Sequence, residues 1–224
     1  MSEGKLIVLE GIDGSGKSLQ YRKLSEKLTA AGRDFHKIVF PRYDNESSSL
    51  IRTYLSGGFG SNPGDVNAYA ASSFFAVDRF ASYKEDWEEI YKNGGLIISD
   101  RYTTSNAVHQ GSKLPYDELF DFFGWLNDFE YVKMGIPKPD LVLYLEVDLE
   151  TSIRRMRKRE AVNSTKADIH ELDEAYLSRC LSTAEKAADF YSWKRIGFMS
   201  GGVERDAEEK SMEIFNIVCS FLNE

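Results

Sequence analysis

The chain has 224 residues, a length that suits one α/β domain and disfavours a second independent core. Its formal net charge of −8 argues against a protein that coats nucleic acid, because such proteins bind phosphate backbones through a surplus of Lys and Arg. No apolar run approaches the ~20 residues of a membrane span, and the first one is of β type rather than the core of a secretory signal. We therefore expect a cytoplasmic protein that neither spans a membrane nor binds nucleic acid.

Strand patterns alternate with helical patterns along the chain. Apolar runs predict strands at residues 5–10, 35–40, 96–99, 141–147 and 195–199. Helical periodicity predicts helices at residues 17–31, 47–55, 66–93, 116–134, 149–159, 169–192 and 206–222. This alternation predicts a three-layer α/β fold, in which a five-stranded parallel sheet is flanked by helices.

A glycine-rich loop follows the first predicted strand and leads into the first predicted helix. It consists of Gly11, Ile12, Asp13, Gly14, Ser15, Gly16, Lys17 and Ser18. Its glycines allow successive N–H groups to turn onto a polyphosphate, and the start of the helix adds its positive dipole end. We expect Lys17 to reach the outer phosphates and Ser18 to bind Mg²⁺. The alternative, a plain glycine-rich turn, is disfavoured by the flanking patterns, so the loop predicts a P-loop NTPase fold that binds a nucleoside triphosphate.

A second polar pair follows the predicted strand at residues 96–99. Asp100 and Arg101 stand at the carboxyl end of this strand, and ligands bind at that edge in open α/β sheets. Asp100 is a candidate ligand for Mg²⁺ or its waters, and the planar guanidinium of Arg101 suits phosphate oxygens. The alternative is an Asp–Arg ion pair that only closes the strand.

These motifs resemble the thymidylate kinase family, whose members transfer the γ-phosphate of ATP to dTMP and form dTDP. A phosphate loop alone occurs in many families, but the Asp-Arg-Tyr and Pro-Lys-Pro-Asp sequences at these places are more specific. The resemblance covers essentially the whole chain. The matching residues are 9–18, Phe40 and Pro41, Phe75 and Arg79, Asp100 to Tyr102 with Ser105, 137–145, and the basic segment 154–159.

The resemblance implies how dTMP is bound. Phe75 and Arg79 are one helical turn apart, so they supply a ring for the thymine to stack on and a donor for its edge. The alternative for the aromatic residue is a core position in the helix. Asp13 is expected near the sugar and phosphate of dTMP. The remaining expected dTMP contacts are Phe40, Arg42, Arg101, Tyr102, Ser105 and Asn106. In several family members the residue corresponding to Arg42 comes one position later, where this chain has Tyr43.

Catalysis of phosphoryl transfer depends mainly on positioning and on neutralising charge. Lys17, Arg101 and Asp13 are therefore expected catalytic residues. The phosphate loop contains no arginine, so the family mechanism implies that a mobile basic lid at about residues 154–170 supplies a further cation.

Arg157 and Arg159 are the expected lid residues. Arg155 and Arg159 share one helical face, and Arg154 and Lys158 share another, so one pair can face phosphate while the other faces water. The resemblance also implies that an acidic pair just past the lid, Asp168 and Glu171, meets a sugar hydroxyl.

His109 departs from the family, which usually has Tyr or Phe at this position, and leaves the strictness of thymidine specificity open. Tyr102 and Tyr176 are alternative aromatic walls against a ribose 2′-hydroxyl. Another P-loop nucleotide or deoxynucleoside kinase is the nearest alternative function. A regulatory NTPase is a weaker one, because the Asn-Lys-x-Asp motif that reads guanine is absent. The family also implies a homodimer, paired through helices such as the one predicted at residues 66–93.

Overall fold

The computed structural model describes residues 3–163 and 174–223, with the backbone alone at residues 160–163. Its main strands are β1 (Lys5–Glu10), β2 (His36–Val39), β3 (Leu96–Asp100), β4 (Leu141–Leu145) and β5 (Lys194–Ile196). They form a parallel sheet in the order β2-β3-β1-β4-β5. The predicted five-stranded parallel sheet is confirmed.

The described residues contain nine α-helices and a short hairpin. The helices are α1 (Lys17–Ala30), α2 (Ser49–Leu55), α3 (Ala68–Ser82), α4 (Glu88–Lys92), α5 (Thr103–His109), α6 (Leu119–Leu126), α7 (Leu149–Asn163), α8 (Glu174–Phe190) and α9 (Ala207–Leu222). Strands β6 (Met199–Ser200) and β7 (Val203–Glu204) form the hairpin. In this part of the chain no helix has the length and apolarity needed to cross a membrane.

Helices cover both faces of the sheet, because alternate residues of β1 point to opposite sides. Leu6 and Val8 belong to a buried cluster that includes residues of α5, α6 and α8. Ile7 and Leu9 belong to a second cluster with residues of α1 and α9. All four side chains are fully buried. The predicted three-layer architecture is therefore confirmed.

The helix predicted at residues 66–93 is interrupted. It consists of α3, a π-helical segment at Tyr83–Trp87, and α4. Tyr83, Trp87 and Tyr91 follow one another at intervals of four residues, and all three are buried. Four residues exceed the 3.6-residue turn of an α-helix, and the wider π turn keeps the three rings on the core side.

Other boundaries also differ from the prediction. The helix predicted at residues 116–134 consists of a 3₁₀ segment (Tyr116–Glu118), α6 and a π-helical segment (Asn127–Lys133). Residues 195–199 are divided between β5 and the hairpin. Helix α5 was missed because six of its seven residues are buried, which removes the amphipathic pattern. The predicted start of the helix at residues 169–192 lies outside the described residues.

The register between β1 and β3 positions the functional motifs. Leu9 pairs with Asp100, so the two strands end side by side near the centre of the sheet. The backbone N–H of Arg101 donates to the Leu9 carbonyl at 3.1 Å. The phosphate loop follows β1 directly, and Arg101 follows β3. The two motifs therefore meet at the carboxyl edge of the sheet, as expected for a ligand site.

Candidate active site

A cavity of about 620 Å³ opens at this edge of the sheet. It is lined by residues of the phosphate loop, the end of β3, and helices α3, α5 and α7. The predicted site residues that line it are Asp13, Gly14, Gly16, Lys17, Ser18, Phe40, Phe75, Arg79, Asp100, Arg101, Tyr102, Ser105, Asn106 and Arg159. Residues from distant parts of the sequence are thus brought to one cavity. The loop residues Gly11, Ile12 and Ser15 are buried and are not among the residues that line it.

Two glycines give the phosphate loop its shape. Gly14 and Gly16 have φ angles of +77° and +92°, in the left-handed region that favours glycine. A Cβ atom at Gly14 would also lie 2.5 Å from the carbonyl oxygen of Ser152. Helix α1 begins at Lys17 without a side-chain cap, so its first N–H groups are available to a ligand.

We expect Gly14→Ala to lower kcat/KM for ATP by about tenfold or more, because the alanine is strained at this φ and collides with the Ser152 backbone. Gly32→Ala is the matched control. Gly32 also has a positive φ, +68°, but a Cβ there has no atom within 4 Å. Steady-state kinetics with varied ATP checks this prediction. An equal loss in both variants, or no loss at Gly14, would contradict it.

Lys17 lies in the cavity wall, with 5% of its surface exposed. Its ammonium group forms no ion pair or hydrogen bond with the described residues. Burial lowers its pKa and the nearby charge of Arg101 lowers it further, while Asp100 and Asp13 act in the opposite direction. A buried cation without a close counterion favours an anionic ligand, and phosphate oxygens are of that kind.

Arg101 is held in an unusual conformation beside Asp13. Its φ of +69° lies in the left-handed region, which is uncommon for a residue with a side chain and is concentrated at functional sites. Its Nη2 donates to Asp13 Oδ1 at 2.6 Å. Burial alone would lower the pKa of Arg101 and raise that of Asp13, but their attraction reverses both shifts. The pair is therefore ionised.

His109 and Glu10 both lie next to the Arg101 guanidinium, and Oε1 of Glu10 is 3.8 Å from Nη1. Nη1 of Arg101 lies 3.2 Å from Nε2 of His109. Since arginine can only donate, His109 accepts at Nε2 and carries its proton on Nδ1, which lies 3.7 Å from the Cys180 sulfur. Glu10 is fully buried and accepts from the Gly11 N–H at 2.8 Å and from the Ser105 hydroxyl at 2.7 Å. The sequence did not identify Glu10 as part of the site.

Ser18 and Asp100 together form an oxygen-ligand set that fits Mg²⁺. The Ser18 hydroxyl donates to Asp100 Oδ2 at 3.3 Å. The other carboxylate oxygen, Oδ1, is buried and has no hydrogen-bond partner among the described residues. A hydroxyl beside a carboxylate with an unsatisfied oxygen suits a hard cation that keeps part of its water shell.

Another part of the wall combines an aromatic ring with fixed polar groups. Phe75 lines the cavity and packs edge-on against Tyr54 at 6.4 Å between ring centroids. Arg79 forms a two-point ion pair with Glu130, at 2.6 Å from Nε and 2.7 Å from Nη2. Burial alone would lower the pKa of Arg79, but Glu130 raises it. Asn106 donates to the same carboxylate at 3.1 Å. This set can bind a planar, carbonyl-bearing ring.

Comparison with known proteins identifies the family. Residues 9–195 match the family model described as thymidylate kinase. The chain belongs to the thymidylate kinase family. The resemblance in the sequence motifs is confirmed.

The relatives cover most of the chain. The thymidylate kinase of Mycobacterium tuberculosis is 33% identical over 155 residues, which are 69% of this chain and 71% of that protein. A probable thymidylate kinase of Methanococcus maripaludis is 32% identical over 207 residues, 92% of each chain. A solved structure of thymidylate kinase from Candida albicans superposes with a TM-score of 0.70 at 22% identity, over 100% of this chain and 95% of that one. This last match supports the fold.

Besides the three buried loop residues, two residues expected in a thymidylate kinase site do not line the cavity. Arg42 is directed towards Asp78, Glu85 and Ser47, and each of its three side-chain nitrogens is bound there. The next residue, Tyr43, lines the cavity instead. Arg42 is directed away from the cavity because the buried Asp78 carboxylate binds it. This carboxylate also accepts from the backbone N–H of Arg42 at 2.9 Å.

The second is Arg157, which is exposed and pairs with Glu174 at 2.7 Å. Arg155 and Arg159, which share one helical face as predicted, both line the cavity. Arg155 also donates to the Gly14 carbonyl at 2.8 Å. Residues 164–170 of the expected lid, with Asp168, and also Glu171, lie outside the described residues.

The two alternative aromatic walls differ in position. Tyr102 lines the cavity, and its hydroxyl donates to the Pro137 carbonyl at 3.0 Å. Tyr176 does not line the cavity but donates to the backbone carbonyl of His109 at 2.7 Å. Of the two, Tyr102 is therefore the one that lies at the cavity, where its side chain is fully buried.

Proposed function

We propose that the protein transfers the γ-phosphate of ATP to dTMP, with Mg²⁺ as cofactor, and releases dTDP and ADP. One observation carries this proposal: a single cavity is lined by two chemically different sets of residues. Lys17 and Arg101 suit the phosphates of two nucleotides. Phe75, with Arg79 and Asn106, suits a planar base with a carbonyl edge.

In the proposed reaction an oxygen of the dTMP phosphate attacks the γ-phosphorus in line, and the bond to the β-phosphate oxygen breaks. The loop amides of residues 11–18 and Lys17 bind the ATP phosphates. Arg101 neutralises the charge that develops between the acceptor and the transferred group, and Asp13 orients Arg101. Little acid–base chemistry is needed, which agrees with a site dominated by fixed cations.

Ser18 and Asp100 are the residues that would bind Mg²⁺. When bound, the ion supplies positive charge to the phosphate oxygens of ATP. The unsatisfied Oδ1 of Asp100 supports this assignment. The thymidine part of dTMP is proposed to contact Phe40, Phe75, Arg79, Tyr102, Ser105 and Asn106, which all line the cavity.

A direct product analysis tests this function. The purified protein is incubated with ATP, dTMP and Mg²⁺ and followed by ³¹P nuclear magnetic resonance. We expect ADP and dTDP to accumulate in equal amounts and to stop accumulating when EDTA is added. Release of inorganic phosphate without dTDP would contradict the proposal and indicate a regulatory NTPase.

We further propose that residues 1–224 form one kinase domain that acts in the cytoplasm, with a lid at about residues 154–170. Within the lid, we expect Arg159→Ala to lower kcat at least tenfold more than Arg157→Ala, because Arg159 lines the cavity and Arg157 is exposed and paired with Glu174. Each variant removes one positive charge from the same helix, so their single-turnover rates can be compared directly. A larger effect at Arg157 would contradict the assignment of Arg159.

We also propose that the protein is a homodimer. Tyr69, Val77 and Phe80 lie on one face of α3 and are 40%, 49% and 38% exposed. Tyr69 packs against Trp125 at 4.7 Å, which joins this face to α6. Several exposed apolar side chains on one helix favour an interface between protein chains, and two-fold dimers are the commonest arrangement.

Val77→Glu is expected to convert the dimer to a monomer, because a pair of buried carboxylates would face each other across a two-fold interface. Sedimentation equilibrium measures the change. Val203→Glu is the control, since Val203 is also exposed, at 69%, but lies in the hairpin. A monomeric wild-type protein, or a Val77→Glu variant that remains dimeric, would contradict the proposed interface.

A further inference from the structure

Glu130 is a buried carboxylate behind the cavity wall. It lies in the π-helical segment Asn127–Lys133 and has no exposed surface. Its two oxygens accept hydrogen bonds from Arg79, from the Thr103 hydroxyl at 2.9 Å, and from the Asn106 amide at 3.1 Å. Glu130 itself does not line the cavity, whereas Arg79 and Asn106 do. One carboxylate therefore contacts two residues of the wall at once.

Glu130 determines the orientation of the Asn106 amide. Nδ2 of Asn106 lies 3.1 Å from Glu130 Oε1 and 3.1 Å from the Ser72 carbonyl oxygen. Both neighbours are acceptors, so the amide nitrogen must occupy this side and Oδ1 must occupy the other. No group among the described residues donates to Oδ1. The Asn106 side chain therefore offers a hydrogen-bond acceptor to the cavity.

The same carboxylate fixes the donors of Arg79. Glu130 accepts from Nε and Nη2, which is a side-on arrangement. Nη1 has only a long contact, 3.4 Å, to the Tyr102 carbonyl. Because a guanidinium has five N–H donors, some on the edge that includes Nη1 are left for a ligand. The wall thus offers a fixed acceptor and a fixed donor edge.

This pattern is complementary to thymine and uracil and opposed to cytosine. Thymine has a ring N–H donor beside a carbonyl acceptor. Cytosine has a ring nitrogen acceptor beside an amino donor. Its ring nitrogen would face the acceptor of Asn106, and its amino group would face the donors of Arg79. A site built in this way rejects the mismatched ring strongly, because buried polar groups lose their partners.

We propose that Glu130 is a positioning residue that sets the base selectivity of the acceptor site by orienting Arg79 and Asn106. This inference rests on the proposed function for the class of acceptor. Without the carboxylate, only the Ser72 carbonyl holds the Asn106 amide nitrogen, so the orientation with the NH₂ group towards the cavity becomes more accessible, and the Arg79 donor edge is no longer fixed. The preference for thymine over cytosine then falls, although Glu130 never contacts the nucleotide.

The test compares kcat/KM for dTMP and dCMP in the wild type, Glu130→Gln and Glu130→Asp. Glutamine preserves the size of the side chain and removes its charge. Aspartate preserves the charge on a side chain that is shorter by one methylene group. We expect the dTMP/dCMP ratio to fall at least tenfold in Glu130→Gln, mainly through a higher KM for dTMP, with KM for ATP unchanged. Glu130→Asp keeps a negative charge near Arg79 but cannot reach Arg79 and Asn106 together. We therefore expect a lower dTMP/dCMP ratio in this variant too, and it provides the test if the glutamine variant does not fold.

Asp140→Asn is the structural control. Asp140 pairs with Lys5 at 3.1 Å and accepts from the Leu6 N–H at 2.8 Å, at the opposite edge of the sheet. The Asp140→Asn variant is expected to have a lower melting temperature and an unchanged dTMP/dCMP ratio. A ratio that is also unchanged in the Glu130 variants, with stability alone reduced, would overturn the inference. If the wild type does not phosphorylate dTMP, the proposed function fails, and calorimetric binding of dTMP and dCMP to the same variants still tests the role of Glu130.

Discussion

Lys17→Met is expected to lower kcat by about 10²- to 10³-fold, which is the usual effect of removing one preorganised group that stabilises transition-state charge. The physical reason is the position of the ammonium group. It is almost fully buried in the cavity wall, and no carboxylate of the described residues pairs with it. Its charge is therefore available to the phosphates of ATP. Methionine keeps the length and apolar stem of the side chain and removes the charge alone.

Steady-state kinetics with saturating dTMP and varied ATP measures the effect. Lys23→Met is the control, because Lys23 lies on the same helix and donates to Glu208 at 2.6 Å, away from the cavity. We expect less than a twofold change in kcat for this variant, since exposed ion pairs contribute little. A Lys17→Met enzyme with a wild-type kcat would contradict the phosphate-binding role of the loop.

Arg101→Ala is the second change with a large expected effect, a loss of kcat of about 10²- to 10³-fold. Arg101→Lys should recover only part of this loss, because an ammonium group lacks the planar fork that binds two phosphate oxygens together. Steady-state kinetics of the two variants measures both effects. Arg33→Ala, which removes an exposed contact to Asn223, is the control. If Arg101→Ala and Arg33→Ala had equal activity, the role of Arg101 would be refuted.

The same variant alters the dependence of stability on pH. The folded-state pKa of Asp13 lies below its ordinary value of about 3.9, because Arg101 and Lys17 outweigh the effect of burial. An acid with a depressed folded-state pKa stabilises the protein above its unfolded-state pKa and loses this contribution as the pH falls. The stability advantage of the wild type over Arg101→Ala should therefore be full above about pH 5 and decrease at lower pH.

The half of the site that we propose to bind phosphate could be predicted from the sequence because its motifs are local. The loop at residues 11–18 is a continuous motif between a strand and a helix, and Asp100 with Arg101 directly follows a strand. Parallel strands deliver both motifs to one edge of the sheet. The alternation of strands and helices predicted the fold for the same reason.

The rest of the site depends on tertiary contacts that local patterns do not encode. Glu130 is 51 residues from Arg79, in a segment whose pattern predicted only an ordinary helix. Arg42 and Tyr43 are adjacent in the sequence, and the buried Asp78 determines that Arg42 is the one directed away from the cavity. The sequence placed Arg155 and Arg159 on one face, but the packing of α7 decides that this face meets the cavity.

The central claim is that the cavity selects dTMP as the acceptor of a phosphoryl group from ATP. An ADP-release assay with ATP and Mg²⁺, offering dTMP, dUMP, dCMP, dGMP and UMP in parallel, tests it most directly. We predict the highest kcat/KM for dTMP and the loss of this activity in Arg101→Ala. The highest kcat/KM for another monophosphate, or no activity with any of the five, would contradict the claim.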